Sequence, residues 1–226
     1  MRERPILFSG PMVRAILAGT KSQTRRLVKS QPILGGIDGL GDGWLWWPRG
    51  AKRERWNNPC SEQELAQNMV GCPFAYANAG DRLWVRETHC AFHVGEGMDR
   101  PVPECVAYRA TDTDENNGFE YVNTRGESMH LTVTKWTPAI HMPRWASRIT
   151  LEVTGVRVER LQAIGAADAV AEGVIDDAHG WDGNPTYPLA RFRSLWIEIN
   201  GETSWNDNPW IWVVAFRRVE QEARAA

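Results

Sequence analysis

The chain has 226 residues, with 26 Lys and Arg against 28 Asp and Glu for a net charge of -2, and 42% hydrophobic against 24% charged residues. That is globular composition, sufficient for one large domain or two small ones, and it excludes a disordered chain. No apolar run approaches the ~18 residues of a spanning helix, and the apolar stretch after MRERP is far shorter than the about 7–15 residues of a secretory signal core. A cytoplasmic protein with no membrane partner is therefore expected.

Ile6-Leu7-Phe8 is a short strand signal. Ser9-Gly10-Pro11 then opens a helix, with Pro in its first turn. Met12, Val13, Ile16 and Leu17 fall on one helical face, and Gly19 ends it. Residues 32–60 form a Gly-rich elaboration with one apolar strand at Trp44–Trp47 and a basic tract from Arg49 to Arg55. Residues 61–70 read as a short helix, Arg82–Thr88 as a strand after the Gly80-Asp81 turn, and Glu104–Ala110 as another strand. The acidic, Asn- and Gly-rich residues 111–130 are expected to be a loop.

Trp145 to Leu161 is the longest β signal, and a parity shift at Gly155 predicts a bulge or bend there. Gly165–Gly173 is a short helix closed by Gly, residues 174–186 a polar loop, Leu189–Asn200 an amphipathic helix and Trp210–Val219 a final strand. Strands without long intervening helices exclude a doubly wound fold. The expected class is α+β, a small mixed β-barrel with short helices packed outside.

Two compositional features bear on function. Trp occurs 12 times, either as large rings filling a β core or, for some, as stacking surfaces. Residues 1–30 hold Arg2, Arg4, Arg14, Lys21, Arg25, Arg26 and Lys29 against Glu3 alone, a basic segment suited to phosphate.

The sharpest motif lies in that segment. Lys21, Thr24 and Arg26 form K-x-x-T-x-R just past the first helix. In an extended chain Thr24 and Arg26 share a face while Arg25 points away. A Lys beside Arg25 and Arg26 has its charged form disfavoured, and burial adds to that. Such a Lys acts as a base, with Thr24 as a hydroxyl nucleophile within reach. The alternative is a solvated basic loop.

Ala18–Arg26 resembles the G-x-K-x-x-T-x-R signature of the ASCH family of PUA-like β-barrels. The strand Leu151–Leu161 followed by Asp168-Ala169-Val170-Ala171-Glu172-Gly173 is similar to that family's strand and short helix ending in Glu-Gly. The likeness covers about residues 5–30, 78–90 and 140–219 of one domain spanning 1–226, with insertions at about 32–76 and 91–135. It is greatest to the longer phage and prophage members. The resemblance implies a cleft for a nucleobase, nucleoside or RNA end. Small bacterial members are amidohydrolases that deacetylate acetylcytidine, with a Lys, Thr and Glu trio that maps onto Lys21, Thr24 and Glu172. Other members are ribonucleases. The alternative to hydrolysis is a non-catalytic reader of RNA or modified nucleic acid, using Lys21, Arg25, Arg26 and Arg144 on phosphates.

The remaining expectations are local. Arg26 can hold a phosphate or a developing oxyanion. His141, Arg144 and Trp145 either line a cleft mouth, with Trp145 stacking a base and Arg144 on a phosphate, or belong to a Pro-set turn with a core Trp. Arg86 either joins the substrate-binding set or forms a strand ion pair with Glu87. Asp168, Asp176, Asp177 and Asp182 read as a solvated acidic loop. Cys60, Cys72, His89, Cys90, His93 and Cys105 lack the Cys-pair spacing of zinc knuckles, so no metal and no cofactor is expected.

Overall fold

The structure, a computed structural model, describes residues 1–37, 41–46, 59–70, 76–92, 106–112, 118–122, 128–175, 183–184 and 186–219. The Arg49–Arg55 tract, Cys72, His93, Cys105, Asp176, Asp177 and Asp182 lie outside the described residues. The elements in chain order are β1 (Glu3–Leu7), α1 (Gly10–Leu17), β2 (Gln23–Leu27), β3 (Ile33–Ile37), β4 (Gly41–Leu45), α2 (Glu62–Met69), β5 (Arg82–Arg86), β6 (His89–Ala91), β7 (Val106–Tyr108), β8 (Gly118–Val122), β9 (Ser128–Thr132), β10 (Thr150–Arg160), α3 (Ala166–Ala171), α4 (Thr186–Asn200) and β11 (Trp210–Val219). The class is α+β, as the element signals predict.

The largest sheet has the hydrogen-bonded order β1-β5-β10-β11-β2, and three two-stranded sheets pair β3 with β4, β6 with β7 and β8 with β9. β1 runs parallel to β5, which makes the large sheet mixed. Among the described residues β1 and β2 end this order, and the expected small barrel is not shown as a closed one. No helix of the described residues is long and apolar enough to cross a membrane.

The chain divides into two compact units, each built from separate stretches. The first holds Met1–Gly19, Arg82–Glu152 and Arg218–Ala226. Here α1 starts at an extended Ser9 with Pro in its first turn and buries Val13, Ala15 and Ile16. Gly19 follows at φ +78°, a left-handed conformation that releases the chain from the helix. Residues 111–130 are not simply a loop: β8 lies wholly within them and β9 begins there. Their Gly and Asn content hid a hairpin whose arms pair only with each other. Trp145 does not begin a strand either, because Arg144–Ala146 is a single 3-10 turn set by Pro143. Glu87 pairs with Arg148, at 2.9 and 3.0 Å, rather than with Arg86. Adjacent strand residues point to opposite faces, which separates Arg86 from Glu87.

The second unit holds Thr20–Asp81 and Val153–Arg217. β11 is antiparallel to β2, with Thr24 opposite Val214 and Arg25 opposite Val213. Its core is made by Leu161, Ile164, Ala169, Phe192, Trp196, Ile211 and Val213. Gln31 ties the ends of β2 and β11: its side chain donates to the Val28 and Trp210 carbonyls and accepts from the Trp210 N–H. Trp46 meets Trp212 edge to face, with centroids 6.3 Å apart. Most described Trp rings are core rings, as Trp46, Trp84, Trp196, Trp210 and Trp212 are all buried. β10 runs unbroken through Gly155, so the parity shift is absorbed without ending the strand. Ile211 is fully buried, so Ile211→Val should cost about 0.5–1.5 kcal/mol, read as a lower urea midpoint with unchanged slope.

Candidate functional site

The site grows from two chain turns. Past Gly19 the chain enters an extended segment whose Lys21 forms an antiparallel bridge with Glu172. The Ser22 N–H donates to the Ala171 carbonyl at 2.9 Å, and the Ser22 carbonyl accepts from the Phe216 N–H at 2.8 Å. The opposite wall is the end of α3. Glu172 caps that helix, and Gly173 at φ +73° turns the chain away immediately after it. The two motif ends, 151 positions apart, are therefore fixed by backbone contacts before any side chain is counted.

Lys21 Nζ donates to the Glu172 carbonyl at 2.7 Å and to Glu172 Oε2 at 3.0 Å. Lys21 is 3% and Glu172 4% exposed. Burial pushes the Lys21 pKa below its ordinary 10.5, with Glu172 opposing and Arg26 and Arg25 assisting. Thr24, also 3% exposed, stands in β2. Gln23 and Arg25 both donate to Asp168, so they face α3, and strand alternation turns Thr24 and Arg26 to the other face. No hydrogen bond joins the Thr24 hydroxyl to Lys21 or Glu172 among the described residues. Sequence and structure thus agree on the Lys21–Glu172 meeting, while Thr24 is buried nearby in sequence but not bonded to the pair.

Arg25, expected on phosphate, stands among three carboxylates. Its side chain is 0% exposed and donates to Glu172 Oε1 at 3.0 Å, Glu159 Oε1 at 2.8 Å and Asp168 Oδ2 at 2.9 Å. The guanidinium also lies 5.6 Å from the Phe192 ring centre. Arg157 adds bonds to Glu159 and Asp168. Lys21, Arg25 and Arg157 thus face Glu159, Asp168 and Glu172, with the carboxylates shared between cations.

Glu159, Arg157 and Asp168 are the partners that sequence reasoning missed, and the solvated-loop reading of Asp168 is corrected. Two spacings carried the signal. Asp168 and Glu172 are one helical turn apart, and Arg157 and Glu159 share a strand face.

Burial tends to raise the Asp168 pKa, but Gln23, Arg25 and Arg157 outweigh it and hold it below its ordinary 3.8. A carboxyl depressed in the folded state stabilises above its unfolded pKa and loses that contribution as pH falls through the folded value. The urea midpoint should therefore fall on acidification below about pH 4. In Asp168→Asn the midpoint should start lower at pH 7 and fall less, as read by urea titrations at both pH values.

Four of the other expected site residues, Arg86, His141, Arg144 and Trp145, belong to the first unit. Arg86 Nε donates to the Met142 carbonyl at 3.0 Å, and its guanidinium lies 4.9 Å from the Trp84 ring centre. Arg144 is engaged by Glu3, at 2.8 and 3.1 Å, and lies 5.9 Å from the same ring. His141 is exposed at the end of the 3-10 turn Ala139–His141, and Trp145 is exposed rather than core. Arg26 is half-buried in β2 of the second unit. Cys60 and Cys90 are free thiols whose pKa values burial pushes up. Among the described residues, no group of three or more His, Cys, Asp or Glu is placed to hold a metal ion. Comparison of the chain with protein-family models, with curated proteins and with solved structures finds no match in any of the three.

Proposed function

We propose that the protein is an ASCH-type, PUA-like hydrolase that cleaves the amide of an acylated cytidine-type nucleoside. The observation that carries this reading is the Lys21–Glu172 contact: a lysine side chain 0% exposed, 3.0 Å from a carboxylate, whose charged form burial disfavours. A lysine in that state serves as a general base. Arg25 holds the second oxygen of Glu172 and acts as a positioning residue. Its charge also compensates Glu172 when Lys21 is neutral.

Lys21 Nζ takes the Thr24 hydroxyl proton as Oγ1 attacks the acyl carbon. Glu172 relays that proton from Lys21 to the leaving cytosine amine as the C–N bond breaks. Lys21 then deprotonates a water that attacks the Thr24 ester, and returns that proton to Oγ1 as the C–O bond breaks and the acid leaves. Thr24 lies on the face of β2 turned away from the Lys21–Glu172 pair, so this step requires the segment from Lys21 to Thr24 to re-orient when substrate binds. Arg26, on the Thr24 face of β2, is the proposed partner of the oxyanion. Arg86, His141, Arg144 and Trp145 stay outside this proposed machinery.

The test is incubation with acetylcytidine, other acylated nucleosides and short RNAs, with products followed by mass spectrometry. Deacylation of a cytidine derivative is the expected result. No deacylation, together with RNA binding that falls steeply with salt, would replace hydrolysis with an RNA-reading role.

A further inference from the structure

The second unit contains a cleft of about 740 Å³, within the range of small-molecule sites. It lies at the Leu27 end of β2, whereas Lys21 precedes the start of that strand. Trp44 and Arg160 line it together with Leu27, Ile33 and Leu34. Those three aliphatic side chains are 44%, 52% and 68% exposed, an apolar surface that the described residues do not cover.

Arg160 is the unusual member. Its guanidinium lies 5.6 Å from the Trp44 ring centre and 5.5 Å from that of Trp210. The two indoles meet edge to face, 5.6 Å apart. Among the described residues Arg160 has no carboxylate within ion-pair distance and no acceptor for its guanidinium N–H groups. Arg25, Arg144, Arg148 and Arg157 each have such a partner. Two rings thus hold a cation in place without satisfying its donors, which preorganises it for an incoming anion. The planar fork matches a carboxylate, and the indole face and aliphatic side chains match a flat apolar body. Trp196, another lining residue, has a buried indole N–H with no acceptor.

The charge pattern limits the ligand. Asp207 and Asn200, the last residue of α4, also line the cleft. A carboxylate and a helix C-terminus disfavour a highly charged anion. We propose that this cleft is a binding site for a small monocarboxylate with an aromatic or similarly flat apolar body, recognised by Arg160 and Trp44. This inference does not depend on the chemistry proposed at Lys21.

The test compares 4-phenylbutyrate with 4-phenylbutan-1-ol, which differ at the charged group. Binding is followed by NMR shifts of the 15N-labelled Trp indoles in the full chain. The carboxylate should bind the wild type, and the alcohol about tenfold or more weakly, as expected for loss of a charged hydrogen bond. In Arg160→Gln the two should bind alike, and Arg160→Lys should restore part of the preference. Trp44→Leu should weaken both probes, and Lys21→Met should change neither. Equal binding of the two probes by the wild type would overturn the proposal. So would absence of saturable shifts, or loss of carboxylate binding in Lys21→Met, which would move the anion site to the other cluster.

Discussion

Arg25→Met is expected to destabilise the protein by about 3–5 kcal/mol, the cost of breaking a buried ion-pair set from one side. Arg25 is bonded to Glu159, Asp168 and Glu172 at once. Its loss leaves Lys21 and Arg157 to balance three carboxylates, with Glu172 almost entirely removed from water. Arg157 cannot take over, because it already reaches Glu159 and Asp168 and has no bond to Glu172. Arg25→Lys should fall between wild type and Arg25→Met, since one ammonium keeps the charge but not the planar fork. Urea unfolding of the three proteins measures this. A change below about 1 kcal/mol for Arg25→Met would mean the network is no more than a surface array.

Lys21→Met should reduce turnover of an acylated cytidine by about 10²–10⁴, the range for removing a positioned general base. Its effect on folding should be smaller than that of Arg25→Met. Arg25 remains bonded to Glu172, so the buried carboxylate keeps one cation, whereas loss of Arg25 weakens the balance of three carboxylates at once. The pH dependence carries the sign. Lys21 works as a base only when neutral, so wild-type turnover should rise with pH through a Lys21 pKa that lies below the ordinary 10.5. That rise should vanish in Lys21→Met. Thr24→Val removes the hydroxyl while keeping the branched shape, so turnover should collapse with nucleoside affinity changed by at most about 0.5–1.5 kcal/mol. Turnover rates and calorimetric affinities on the same preparations separate the two effects. An active Thr24→Val would transfer the nucleophile's role to water.

Local chemistry made some elements legible from sequence. Ser9, Pro11 and Gly19 bracket α1 within a residue or two, and the apolar run of β11 announces itself. β3 and the β8–β9 hairpin are not legible, because Gly, Asn and charge dominate those stretches and neither two-stranded sheet joins the large one. At the site, Lys21 and Glu172 were found through motif resemblance. The physical reason that they meet, a backbone bridge between a segment past one helix and the end of another, is a long-range fact. The buried setting of Arg25 is a long-range fact of the same kind. A basic residue in a basic segment looks solvent-facing until the three carboxylates brought to it by β10, α3 and the α3 cap are seen.

In the proposed reaction the Lys21–Glu172 pair moves the proton of an amide hydrolysis. It is tested most directly by mixing acetylcytidine with wild-type protein and with Lys21→Met at neutral and alkaline pH, and measuring cytidine released per protein. Release by the wild type should rise with pH, and Lys21→Met should release little or none at either pH. Equal release by the two proteins, or none by the wild type, would contradict it.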